Sequence, residues 1–222
     1  MRELYLECYS GISGDMTVAA LLDLGVPGEY LMKELKKLHL DGYEIKISRT
    51  KKNQITATDF DVILKDEHKD EHGHEHAHTH VNDEDVKECH EQEHSHEHTH
   101  VHNSYREIKE FILASELSDR VKEMILKIFQ VIAEAEAQVH GTAVDEVHFH
   151  EVGAVDSIVD ISAAAICLDY LGFDSIVTSE IWEGKGHVWC QHGRIPVPAP
   201  AVLAIFSKSQ TRLHLSGVQG EM

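Results

Sequence analysis

The chain has 222 residues, which is enough for one domain with a hydrophobic core or for two small ones. It carries 39 acidic against 20 basic residues, a formal net charge of -19, which argues against a nucleic acid or an anionic membrane as partner and favours cations. The four cysteines show no CxxC spacing, the start is charged, and no apolar run approaches the roughly 18 residues of a membrane span, so we expect a reduced, cytoplasmic protein.

Residues 1–64 predict the first part of an α/β (or α+β) domain. Apolar residues at helical spacing and clusters of β-branched residues indicate a strand, two helices and two strands, in that order. These predicted elements span residues 4–8, 15–24, 29–38, 43–48 and 55–64. Gly25 and Pro27 mark the end of the first helix.

Residues 65–103 differ sharply from their flanks in composition. Twelve of the 19 histidines lie here, between His68 and His102, among 12 acidic residues and three lysines. A tract that begins at Glu71 is repeated 22 residues later, at Glu93. Because so few apolar residues cannot offset the entropy of ordering the chain, we expect a long, disordered, His-rich loop on the surface of the domain.

Residues 104–222 predict the remainder of the α/β domain. The pattern indicates three helices, a strand and a last helix, at residues 105–114, 121–139, 156–171, 175–182 and 198–207. Gly141 marks the end of the second of these helices. Together the two folded segments predict a small sheet flanked by helices.

The repeated tract predicts a metal-binding segment. Side chains at every second position line one edge of an extended chain, and imidazole suits nickel, zinc and copper(II). Neutral imidazole is available at pH 7, and the interspersed carboxylates attract cations. The alternative is a solvated, charged linker. The candidate ligands are His72, His74, His76, His78, His80, His94, His96, His98, His100 and His102.

Two other motifs contain candidate binding residues. The turn at residues 10–16 follows a strand and opens a helix, so Gly11, Ser13 and Gly14 are candidates for holding a phosphate. Asp15 is a candidate ligand, with a helix-capping role as the alternative. Lys185 and Arg194 lie among glycines and alternating prolines and are candidates for binding an anionic ligand. The alternative is a rigid crossover segment with solvated basic side chains. Cys8 and Cys190 fit ordinary buried thiols.

A cluster of ionisable residues lies in an otherwise apolar stretch after residue 145. His148 and His150 share one side of a predicted short strand, and Glu151 follows at once. Asp156 and Asp160 lie one turn apart on the next predicted helix. Groups buried here must pair with one another, with a metal or with a polar substrate, so all five are catalytic candidates and the two histidines are also metal candidates. A purely structural hydrogen-bond network is the alternative.

Four motifs occur in the order and spacing of the LarC-type nickel insertion proteins, and the resemblance covers nearly the whole chain. They are SGISGDM at 10–16, the His-rich insert, VHFHEVGAVDSIVD at 147–160 and HGRIPVPAP at 192–200. The resemblance implies insertion of Ni(II) into pyridinium-3,5-bisthiocarboxylic acid mononucleotide, which gives the nickel-pincer cofactor of lactate racemase and similar enzymes. It also implies a cyclometallase, of the lyase or metal chelatase kind, with Mg-CTP as cosubstrate.

The chain departs from that family at its end. Full-length members continue into a second domain, which the resemblance makes the CTP-binding part, whereas this sequence stops at Met222. We therefore expect an N-terminal portion that handles nickel. Either a separate product supplies the C-terminal domain in trans, or the chain is a nickel-binding piece without full activity. A homo-oligomer is a further expected assembly.

A second class of function competes with this enzyme. A non-enzymatic nickel or zinc metallochaperone or storage protein needs only the His-rich tract and leaves the motifs at 10–16 and 147–160 without a role. A DNA-binding metal sensor is disfavoured by the acidic balance and by the lack of a basic recognition helix.

Overall fold

The computed structural model describes residues 1–65, 104–149, 155–190 and 192–222 of the chain. Within these ranges it has α helices and strands in mixed order. The helices are α1 Gly14–Asp23, α2 Gly28–Leu35, α3 Tyr105–Ala114, α4 Asp119–His140, α5 Val155–Leu171 and α6 Pro200–Lys208. The strands are β1 Glu3–Leu6, β2 Tyr43–Lys52, β3 Ile55–Leu64, β4 Ser175–Thr178, β5 Ile181–Cys190, β6 Gly193–Val197 and β7 Leu213–Gln219.

The first and fourth strands form a short parallel sheet. Glu3 lies opposite Ser175 and Leu6 opposite Thr178. α1 follows β1 directly, and α5 precedes β4, so both helices begin at the carboxyl edge of the two strands. In open α/β sheets this edge is where ligands bind.

The remaining strands form two more small sheets. β2 and β3 make an antiparallel hairpin that packs on α1. β5 is the centre of the third sheet, antiparallel to β6 on one side and parallel to β7 on the other. The core lies mainly between the helices, and its largest fully buried side chains are Val18, Leu21, Leu31, Leu35, Leu38, Ile108, Ile112, Ile125, Phe129, Val147, Ile158 and Ile166.

Local sequence explains the helix ends around the core. Ser104 starts α3 with a capping box, in which its hydroxyl accepts the N–H of Glu107 and the Glu107 carboxylate accepts the N–H of Ser104. Gly141 ends α4 in a left-handed conformation, as predicted. No helix in the described part of the chain is both long and apolar enough to cross a membrane.

The structure confirms the predicted class of helices around small sheets, but the strands after residue 174 differ from the prediction, which contained neither β6 nor β7. The single strand predicted over residues 175–182 is broken, because the Ser179 hydroxyl accepts the N–H of Cys8 and donates to the carbonyl of Glu180. β4 therefore ends at Thr178, and β5 turns away to pair with β7. The predicted His-rich loop falls almost wholly in residues 66–103, which lie outside the described residues.

Candidate functional site

The carboxyl end of β1 leads into the turn at residues 10–16. Gly11 has a φ of 81°, a left-handed conformation that favours glycine, and it bridges to Tyr9. Ser13 precedes α1, but its hydroxyl donates to the carboxylate of Asp15 and does not cap the helix. The Thr17 hydroxyl donates to the Ser13 carbonyl at 2.7 Å. Local hydrogen bonds thus fix Asp15 in the first turn of α1.

Asp160 of α5 lies against this turn. A Cβ atom added at Gly14 would stand 2.6 Å from the Asp160 Oδ2 atom, so only glycine lets the carboxylate approach this closely. α1 and α5 pack side by side along the same edge. The structure therefore brings together the two acidic motifs that the sequence analysis identified separately.

The carboxylates at this point repel one another. Asp15 and Asp156 are exposed, whereas Asp160 is half-buried and its Oδ1 atom is buried without a hydrogen-bond partner. Burial, and then the charges of Asp15 and Asp156, raise the pKa of Asp160 from its ordinary value to about 6. A buried, unpaired oxygen beside two other carboxylates attracts a cation or a proton.

The histidines of the predicted cluster are only partly described. His148 is exposed and forms an antiparallel bridge with Ser104, which is the pairing that the described residues show for the predicted strand. Val147 and Phe149 on either side are buried, which fixes the backbone at His148. His150 and Glu151 lie outside the described residues.

Within the residues that the structure describes, no three His, Cys, Asp or Glu side chains are arranged to hold a metal ion. The carboxylates of Asp15, Asp156 and Asp160 are therefore gathered without forming a complete metal centre.

The two candidate cations lie on the third sheet. Lys185 is exposed in β5, and Arg194 is exposed in β6 with its Nη2 atom 3.4 Å from the Nδ1 atom of His187. Neither forms an ion pair with a carboxylate of the described residues. The strand that carries Lys185 runs beside the end of β1, since the Trp182 N–H donates to the Cys8 carbonyl at 3.1 Å.

Close packing joins the turn at residues 10–16 to β5. A side chain at Gly184 would overlap the backbone of Gly220, and one at Gly11 would overlap Met222. The Glu183 carboxylate accepts the N–H of Met222 at 2.9 Å and the N–H of Gly184 at 2.7 Å. The residues that end the chain thus lie between the turn and β5.

The sequence analysis missed Glu183, because nothing in the surrounding sequence distinguishes this half-buried acid from exposed ones. It also missed Tyr5 and Glu7, although their alternation with the buried Leu4 and Cys8 could have shown an exposed face on β1. Cys8 is buried, as expected, and burial raises the pKa of its thiol.

Comparison with known proteins shows which protein family the chain resembles. The sequence profile described as "Nickel insertion protein" matches residues 4–222. A relative from Alkaliphilus metalliredigens, named "Pyridinium-3,5-bisthiocarboxylic acid mononucleotide nickel insertion protein", is 50% identical over 227 residues, which cover 100% of this chain and 49% of the relative. Proteins of the same name from Clostridium acetobutylicum and Acetivibrio thermocellus are 56% and 43% identical, over 92% and 100% of this chain and 49% of each relative.

The chain spans about half the length of these curated relatives. No solved structure matches it. The profile match extends over almost every residue, including the turn at residues 10–16, α5 and β5 to β7. The chain belongs to the nickel insertion protein family.

Proposed function

We propose that this chain is the metal-handling part of a cytoplasmic enzyme that inserts Ni(II) into pyridinium-3,5-bisthiocarboxylic acid mononucleotide and so forms the nickel-pincer cofactor used by lactate racemase. The observation that carries the proposal is the contact between Gly14 and Asp160, which joins two acidic motifs at one edge of the parallel sheet. The names of relatives at 43 to 56% identity support the choice of metal and substrate.

Asp160 is the proposed general base. Formation of a carbon–nickel bond requires loss of the proton on ring carbon C4, and the electron pair of that C–H bond becomes the bond to nickel. A carboxylate with a pKa of about 6 is ionised at pH 7 yet basic enough to accept a proton efficiently. Asp15 and Asp156 keep that pKa raised and attract the incoming metal.

His148 is the proposed point at which nickel enters the ordered site. Its bridge to Ser104 places it beside the residue at which the described chain resumes after the His-rich insert. The proposed role of the insert, residues 65–103, is to gather metal and pass it to His148. We assign His150 and Glu151 to the same site, because they follow His148 within three residues.

The phosphate of the mononucleotide is assigned to the Gly11 end of the turn and to Lys185, with Arg194 as a further cation. The Gly14 end is less suitable for a phosphate, because the carboxylate of Asp160 lies there and would repel it. Lys185 has no ion pair among the described residues, so its charge is available to a ligand. The backbone N–H of Ser13, just before the start of α1, is assigned as a further donor to the phosphate.

The proposed reaction depends on CTP, and we assign Mg-CTP binding to the half of the relatives that this chain does not span. That half would associate with this chain as a separate polypeptide in trans, or within an oligomer. The two folded segments, residues 1–64 and 104–222, would then form one domain that presents nickel and substrate to it.

Nickel insertion by the purified chain tests the proposal, with substrate, Ni(II) and Mg-CTP, with and without a separately made C-terminal half. His148→Ala and His150→Ala should remove insertion and leave most of the bulk nickel binding, whereas His39→Ala, at an exposed histidine paired with Glu116, should change neither. Undiminished insertion by both site variants would refute the assignment of His148 and His150.

A second experiment concerns the His-rich insert. Deletion of residues 68–102 should lower nickel loading mainly when nickel is scarce, because the insert serves as a reservoir. Complete inactivity of the deletion variant at high nickel would contradict that role. Nickel binding without insertion under any condition would favour the competing function, a metallochaperone or storage protein, which agrees with the lack of a complete metal centre in the described residues.

A further inference from the structure

A cleft of about 430 Å³ lies between β1 and α1, beside the turn at residues 10–16. Tyr5 and Glu7 belong to the strand side of the cleft, and Met16 and Leu24 to the helix side. Tyr5, Met16 and Leu24 are each more than half exposed, so the cleft is open to solvent in the described part of the chain. Its volume is in the range of small-molecule sites.

The side chains of β1 and its extension alternate between buried and exposed positions, and both kinds line this cleft. Leu4 and Cys8 are buried, whereas Tyr5, Glu7 and Tyr9 point outward. Tyr9 is close enough to Tyr5 to raise the pKa of its hydroxyl. Glu7 forms no hydrogen bond or ion pair within the described residues. An aromatic face beside an unpaired carboxylate is an arrangement that attracts a flat organic cation.

We propose that this cleft binds the pyridinium ring of the mononucleotide, with Tyr5 against the face of the ring and Glu7 beside its positive charge. The inference rests on the proposed function, because only a pyridinium substrate supplies such a ring. The cleft shares Gly11 and Met16 with the segment that carries Asp15, so it adjoins the turn whose Gly14 contacts Asp160, although Asp160 itself does not line the cleft.

Charge complementarity distinguishes the pyridinium ring from another possible occupant, a peptide strand added to the edge of β1 that has no partner strand among the described residues. Strand addition depends on backbone hydrogen bonds and is indifferent to a carboxylate such as Glu7. A cationic ring gains from both the tyrosine face and the carboxylate. Lys185 is exposed in β5, the strand whose Glu183 binds Met222 beside Gly11, and it has the charge suited to the phosphate of the same molecule.

Oxidised and reduced nicotinamide mononucleotide are suitable probes, because they share ribose and phosphate and differ in the charge of the ring. Calorimetry on the metal-free chain should show tighter binding of the oxidised form by about three- to thirty-fold. Tyr5→Leu and Glu7→Gln should each reduce this preference, whereas Lys185→Gln should weaken both forms alike. Tyr170→Leu, at an exposed tyrosine that contacts Tyr30 and does not line the cleft, is the matched control and should keep the preference.

Three results would overturn the inference. They are equal affinity of the wild-type chain for both forms, absence of binding of either form at millimolar concentration, and a preference that survives both Tyr5→Leu and Glu7→Gln. In the third case, a change of oligomeric state in Tyr5→Leu would identify a second copy of the chain as the occupant. Because Tyr5 is exposed, circular dichroism should show that the variant remains folded.

Experiments can refute the binding of the pyridinium ring in the cleft, here called the ring subsite, separately from the proposed reaction. Asp160→Asn should abolish nickel insertion and leave the preference for the oxidised ring intact. A wild-type chain that prefers the oxidised ring but never inserts nickel, even with the C-terminal half, would refute the proposed function alone. A chain that inserts nickel but shows no charge preference would refute the ring subsite alone.

Discussion

Replacement of Asp160 by asparagine should stabilise the fold, although the same substitution removes the proposed base. In the folded chain the carboxyl group keeps its proton up to a pH of about 6, whereas the ordinary pKa is 3.8. The free energy of unfolding therefore decreases as the pH rises from the ordinary pKa to the pKa in the folded chain. Above the pKa in the folded chain the decrease stays constant. Asparagine has nearly the same shape and no charge, so it avoids the loss.

The size of the effect follows from the two pKa values. A pKa change from 3.8 to about 6 corresponds to about 3 kcal/mol, and because Asp160 is only half-buried this is an upper bound. The gain from Asp160→Asn should approach this value at pH 8 and vanish near pH 4. Urea denaturation of the metal-free chain across that range, with EDTA present, measures it directly. Titratable groups remote from Asp160 affect wild type and variant equally, so their contributions cancel in the difference between the two free energies of unfolding.

Asp23→Asn provides a control of opposite sign. Hydrogen bonds from Thr58, together with Arg49, hold the pKa of Asp23 at about 2, so loss of its charge should destabilise the chain at neutral pH and matter less as the pH falls toward 2. A gain from Asp160→Asn that is the same at pH 4 and pH 8, or a loss of stability at pH 8, would refute the account of repulsion among these carboxylates.

Three further predictions concern other parts of the structure. Gly14→Ala should destabilise the chain by about 1–3 kcal/mol in urea denaturation, because the new methyl group overlaps the Asp160 carboxylate. Ser104→Ala should cost about 1 kcal/mol through loss of the capping box, and Ser104→Asp should restore most of it. Burial raises the pKa of Cys167 to about 12, so mass spectrometry after treatment with a thiol reagent should find Cys190 modified well before Cys167.

The helices were largely predictable from the sequence because their signals are local. α3 has its predicted bounds, since Ser104 caps its start and the apolar spacing continues to Ala114. α4 ends at the predicted glycine, Gly141. The sheet of β5, β6 and β7 was not predicted as a unit, because its glycines and prolines are typical of loops and its pairing joins distant residues.

The candidate site was predictable only in pieces. The spacing of Asp156 and Asp160 placed both at the start of one helix, and the structure agrees. The contact of Asp160 with Gly14 could not be predicted, because it depends on how α1 and α5 pack and not on either segment alone. The strand predicted at His148 is tested only in part: the described residues show its pair with Ser104, and His150 lies outside them.

The parallel pairing of β1 with β4 also sets the order of events during synthesis. Their hydrogen-bonded partners lie 172 positions apart, so the edge that carries the carboxylates cannot assemble until residue 178 has been made. At ribosomal speeds of about 5–20 residues per second, that is roughly 10–35 s after the first residue. The histidines at 68–102 are synthesised earlier in that interval. Under the proposed function, the nascent chain therefore acquires its capacity to collect metal before it has an ordered place to deliver it.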